Sequence, residues 1–152
     1  MKPQDALKAV EAQLKKMQEM KTKHVAVGVL ASEATGRIYE NGVNVLQVAA
    51  IHEYGLGPSP ERSFLRAPQE LKQKELKSFI NIQLEKVLDG RSVNQGLGLI
   101  GVYAVNLSQQ AFDTSGFGSW PALSSSTINS KGSSKPLIDT GTLKNSVTWE
   151  IR

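Results

Sequence analysis

Two aspartates beside small polar residues, in Asp113-Thr114-Ser115-Gly116 and Asp139-Thr140-Gly141, come nearest in this chain to a catalytic pattern. Brought together, two such carboxylates share a proton and activate water, the chemistry of a small aspartic-type hydrolase. That chemistry needs each aspartate presented from a β-rich lobe, and the flanks here are helical or rich in serine and glycine. The structural assignment is therefore preferred. Asp113 steadies a turn after a helix, and Asp139 or Thr140 caps a short helix through Leu143 and Lys144. Gly96-Leu97-Gly98-Leu99-Ile100-Gly101 has the glycine spacing of a dinucleotide site. Such a site follows a strand and opens a helix, whose N-terminus meets the pyrophosphate. Here the run follows a helix and the Asp89-Gly90 turn, so close helix packing is expected and no cofactor.

His52-Glu53 lacks the second histidine of a zinc helix, and His24 is distant on an expected strand, so no metal site is assigned. His52 is expected to hydrogen-bond locally at the end of its helix. Ser124, Ser125 and Ser126 carry no nucleophile-elbow glycines, and no phosphate-cradling loop occurs. Trp120 and Trp149 stack on bases only where basic residues interleave with them, and none do, which leaves core or interface anchoring. No catalytic residue is expected, and the chain is not read as an enzyme.

Composition narrows the class. A length of 152 residues suits one domain, 1–152, around one core. Cysteine is absent, so disulfides and thiolate metal sites are excluded and a reducing site of assembly fits. No apolar run approaches the roughly 20 residues needed to span a bilayer, and Met1 to Asp5 lack a signal-peptide core, so a soluble protein without membrane partners is expected. The net charge of +4 is dispersed among acids such as Asp5, Glu11, Glu19, Glu70, Glu75, Glu85 and Asp89. Dispersal favours solvated helix faces over a nucleic-acid patch. Between Arg91 and Lys131 the only charge is Asp113, which marks a stretch buried in the subunit or covered by a neighbour.

The elements that position these residues follow from periodicity. Asp5 can cap a helix with Leu7, Val10, Leu14 and Met17 on one face and Lys8, Lys15 and Lys16 turned away. Lys23 to Ala31 reads as a buried strand, followed by turn signals at Gly36 and Asn41-Gly42 around Arg37 to Glu40. Asn44 caps a helix from Val45 to Tyr54, which Gly55 ends. A structured loop, Gly55 to Pro68, carries Arg62, Phe64, Leu65 and Arg66. A long helix from about Pro68 to Leu88 places Leu71, Leu76, Phe79, Ile80, Leu84, Val87 and Leu88 on one face. A further helix from about Val93 to Phe112 is apolar nearly all round through Leu97 to Leu107, the mark of a central helix or of a subunit contact. A Ser-rich loop anchored by Trp120, Pro121, Pro136 and Leu137 leads to the alternating strand Val147 to Ile151. The two strands are expected to pair, which gives an α+β fold with a small, mostly antiparallel sheet packed with several helices, and long irregular loops.

Two segments together resemble the head–tail joining proteins of tailed bacteriophages, in particular their tail-completion or virion-morphogenesis group. The first is Ala49-Ala50-Ile51-His52-Glu53-Tyr54-Gly55 with Pro60-x-Arg62-x-Phe64-Leu65-Arg66. The second is Trp120-Pro121-x-Leu123, Thr127, Lys131 and Leu137-Ile138-Asp139-Thr140-Gly141-x-Leu143-x-x-Ser146. Ser63 departs from the group, which commonly has proline before the phenylalanine. The resemblance covers most of the chain and implies a non-enzymatic virion protein that forms a ring, commonly a hexamer, at the neck or head-proximal tail end. Such a ring terminates the tail tube, docks on the head connector or adaptor and leaves a lumen for genomic DNA. Rings use heterologous contacts, so each subunit needs two complementary patches. The loops Gly55 to Ala67 and Gly116 to Gly141 are the candidates, with Arg62, Phe64, Arg66, Trp120, Leu137 and Asp139 as interface residues. The alternative for Phe64, Trp120 and Leu137 is that they pin the loops to their own core. The alternative functions are a DNA-contacting adaptor of the particle and the small hydrolase.

Overall fold

The computed structural model describes residues 2–30, 38–39, 42–131 and 141–152. In chain order these form α1 (Pro3–Thr22), β1 (Val25–Val29), α2 (Val45–Tyr54), α3 (Arg66–Leu71), α4 (Gln73–Leu88), α5 (Val93–Asp113), α6 (Ser125–Lys131), α7 (Thr142–Asn145) and β2 (Val147–Ile151). The class is α+β with a two-stranded antiparallel sheet. The expected pairing of the strands is observed in the register Val25↔Ile151, Val27↔Trp149 and Val29↔Val147. Reciprocal bonds between His24 and Arg152, 2.8 and 2.9 Å, close the open end of the ribbon.

Helix α5 lies against both strands and against α3 and α4. Its buried residues divide the core. Val105 and Phe112 join Val45, Ala49, Phe64, Leu143 and Val147 in one cluster, while Leu97 and Ile100 join Val87 and Val93 in the other. The glycine-rich run lies inside this helix, so its backbone amides belong to helix hydrogen bonds, as where Gly96 N donates to Ser92 O at 3.1 Å. The glycines remove bulk where neighbours press in. A Cβ on Gly96 would stand 2.6 Å from Val87, and one on Gly101 2.5 Å from the Trp149 ring.

Local signals for α2 hold: Asn44 Oδ1 accepts from Leu46 N at 2.7 Å, and Gly55 ends the helix at φ 62°. Four expectations are corrected. Strand β1 is half-buried, with only Gly28 fully covered, because a two-stranded ribbon packed on one helix leaves much of its surface open. The long helix is broken at Lys72 (φ −100°, ψ 24°), so Leu71 falls out of the apolar face of α4 and is exposed. Asp5 sits in the first turn of α1, and Lys2 occupies the cap without a side-chain bond. Finally, Leu7, Val10, Leu14 and Met17 are exposed, and Lys16, expected to turn away, meets the body of the protein with Gln13 and Met20, its Nζ donating to Val87 O at 2.8 Å. Among the described residues no helix is long and apolar enough to cross a membrane.

Candidate functional site

One buried acid and one buried base organise the first of the loops singled out in the sequence and tie it to the start of the second. Glu53, in the last turn of α2, directs its carboxylate at the start of α3. Oε1 accepts from Ser63 Oγ at 2.7 Å and Arg66 N at 2.9 Å, and Oε2 accepts from Phe64 N at 2.8 Å and Leu65 N at 2.9 Å. Amides at a helix start have no partners within the helix, and a carboxylate there gains from their partial positive charge. Ser63 completes the arrangement: its Oγ also accepts from Ala67 N at 2.9 Å, a second bond into the first turn of α3. The hydroxyl at the position where the phage group commonly has proline is therefore a structural part of this loop.

Arg62 joins the first loop to the second. Its Nε and Nη2 donate to Pro121 O at 3.2 and 3.0 Å, and Nη2 reaches Ala122 O at 3.5 Å. Burial pulls this guanidinium below its ordinary pKa, and among the described residues its partners are these carbonyls. A rigid fork suits two acceptors at once, which a lysine ammonium does not reproduce. Arg62→Lys is expected to lower stability by about 1–2 kcal/mol and to loosen residues 120–122, seen as faster exchange of the Trp120 amide, which donates to Ser115 O at 3.0 Å, while α5 keeps its protection.

Phe64 is fully buried and packs on Phe112 with ring centroids 4.9 Å apart. Phe112 in turn meets the half-buried Trp120 edge-on at 5.8 Å. Ser115, Gly116, Phe117 and Gly118 all have positive φ, between 52° and 81°, and this left-handed turn carries the chain from α5 to Trp120. At Gly116 a Cβ would stand 2.2 Å from the indole, so only glycine allows the ring to lie there. Trp120, Leu71 and Phe117 line a surface groove of about 380 Å³.

The structure thus separates the six interface candidates. Arg62 and Phe64 have no surface to give a neighbour, because each is spent inside its own chain; the expectation that they contact another subunit is corrected on that ground. Arg66 is exposed, bound to Glu61 at 2.6 Å and lying 5.7 Å from the Tyr54 ring centre. Trp120 is shared between core and groove. Leu137 and Asp139 lie outside the described residues, as does Thr140. Helix α7 is preceded by Gly141, with no side-chain cap.

Asp113 carries an ion pair with Lys144 at 2.6 Å, which ties the end of α5 to α7. Over half of the Asp113 side chain is exposed, and Asp113→Asn is expected to change unfolding free energy by less than about 1 kcal/mol, measured in urea. The site that sequence reasoning missed is Glu53. Its signal was present: it is the one formal charge between Val45 and Tyr54, in an otherwise apolar helix that meets a loop rich in backbone donors.

Fold and site together define a small α+β fold in which Glu53 holds the loop after α2 and Arg62 ties that loop to the carbonyls of Pro121 and Ala122. No family model, curated protein or solved structure matches the chain.

Proposed function

We propose that this chain is a structural subunit of a tailed-phage particle, working by self-association into a closed ring at the neck or head-proximal end of the tail. The ring would end the tail tube, seat it on the head connector and pass genomic DNA through its lumen without base-specific contacts, first assembling in the host cytoplasm. One observation carries this reading. The two segments that resemble the joining proteins, far apart in sequence, are in direct contact through Arg62 and the carbonyls of Pro121 and Ala122. Bonds that fix the first loop against the start of the second suit a surface that must dock without paying to order itself.

Size-exclusion chromatography with light scattering, followed by particle imaging, tests the proposal. A discrete oligomer with a central opening, unchanged by nuclease, is the expected result, and a strict monomer at all concentrations overturns it. Binding to DNA that weakens steeply with salt would favour the adaptor reading instead.

A further inference from the structure

The β1–β2 ribbon carries a set of hydrogen-bonding groups that the subunit does not use. His24 and Arg152 exchange both backbone bonds, and in an antiparallel pair such bonded positions alternate with non-bonded ones. The register then makes Ala26↔Glu150 and Gly28↔Thr148 the other bonded pairs. That leaves the N–H and C=O groups of Val25, Val27 and Val29 pointing out along one edge and those of Val147, Trp149 and Ile151 along the other. Among the described residues none of these outward groups has a hydrogen-bond partner. Val147 is buried and the other five residues are half-buried. Helix α5 covers a face of the ribbon, where Trp149 lies on Gly98 and Gly101, and so leaves the edges to other partners.

Such an edge is a template for another strand, and sheets that must stay single guard it with proline, lysine or a bulge. Here Val25 to Val29 and Val147 to Ile151 contain neither residue, and the register runs without a bulge. A two-stranded sheet is also marginal by itself and gains from further strands. We infer that the two edges pair between copies, β2 of one copy adding to β1 of the next, so that the ribbons join into one antiparallel sheet around the ring. This deepens the ring proposal and rests on it.

Phase and direction both select a second copy as the added strand. The residues that point their backbone groups outward on either edge are the same ones whose side chains join the core clusters beside α5. Bonding one edge to the other therefore keeps every apolar side chain on one face of the joined sheet, where a slip of one residue would turn them to the opposite face. Since β2 runs antiparallel to β1 in its own copy, it also runs antiparallel to β1 of a neighbour placed by rotation. Repeating the ribbon's own register then sets Trp149 beside Val27 and Ile151 beside Val25 of the next copy as bonded pairs. With Arg62 and Phe64 buried in their own subunit, the ribbon supplies the two different surfaces that a ring requires. Like edges joined to each other would close at two copies and leave the remaining edges bare.

Amide hydrogen exchange, quenched and read residue by residue after transfer to an aprotic solvent, tests the pairing on the unmodified protein. In the ring the amides of Val25, Val27, Trp149 and Ile151 are expected to exchange at least about tenfold more slowly than in the monomer, while Ala26, Gly28, Thr148 and Glu150 are protected in both. Ile151→Pro removes an outward N–H that no bond within the subunit uses, a place where a strand tolerates proline. It is expected to elute as monomer where the parent is a ring, and it supplies the monomer reference should the parent ring resist dilution. Outward amides that exchange fast in the ring, or an Ile151→Pro ring as stable as the parent's, would overturn the inference while self-association stands. Outward amides already slow in the monomer would show the edges covered within the subunit and overturn it too. Slowing confined to one edge would put like edges together and overturn the head-to-tail order. A parent protein that is only ever monomeric would overturn the ring proposal and this inference together.

Discussion

Glu53→Gln is expected to destabilise the protein by about 3 kcal/mol, a fall in melting temperature of about 6–12 °C for a chain of this size. The substitution is nearly isosteric, so the loss is electrostatic. Four donors converge on two carboxylate oxygens. Glutamine replaces one oxygen with an amino group, which then points hydrogens at backbone N–H groups that have no other acceptor. The buried pocket offers no water to relieve the conflict, since Glu53, Ser63 and Phe64 are each almost wholly inaccessible. Glu61→Gln is the control: it removes an equal charge from the loop that Glu53 holds, but its bond to Arg66 is exposed on both sides and should be worth under about 1 kcal/mol. Urea unfolding of the two variants would decide the matter. If Glu53→Gln loses less than about 1 kcal/mol, the carboxylate does not hold the loop.

The second large effect concerns the glycine run of α5. Gly101→Val is expected to cost about 3 kcal/mol, at the upper end of core overpacking. A Cβ there would lie 2.5 Å from Trp149 Cδ2 and 2.6 Å from Cγ, at the root of the indole, where the ring cannot swing aside without moving β2. Gly98→Ala meets the outer edge of the same ring at 3.1 Å. There a small shift suffices, and the roughly 1 kcal/mol gained in helix propensity offsets it, so Gly98→Ala should be close to neutral. If both substitutions behave alike, the helix does not pack on Trp149 as described. A cycle with Trp149→Ala sharpens the test: once the ring is gone, Gly101→Val should cost much less than in the parent.

How far these features could be read from the chain depended on how local their causes are. Helix α2 was legible to the residue because its limits are set by Asn44 and Gly55, whose side chain and missing side chain act within one turn. The strand pairing was legible because Val147 to Ile151 alternates and Val25 to Val29 is β-branched, leaving each strand one obvious partner. The break at Lys72 was not legible. The apolar spacing runs through it, and α3 departs from α4 because Glu53 and Ser63 fasten its first turn from elsewhere in the chain.

Helix α1 shows the same limit from the other side. Periodicity alone determined that Leu7, Val10, Leu14 and Met17 share a face, since 3.6 residues per turn is a property of the backbone. Which way that face points was decided by tertiary contacts, through Gln13, Lys16 and Met20, and it points away from the core. In the same way the amino-acid order established two loops, a glycine-rich helix and a closing strand. Only the folded chain turned Glu53 into the acceptor for four donors and Arg62 into the clasp between loops, because a hydrogen bond depends on distance in space and is blind to separation along the sequence.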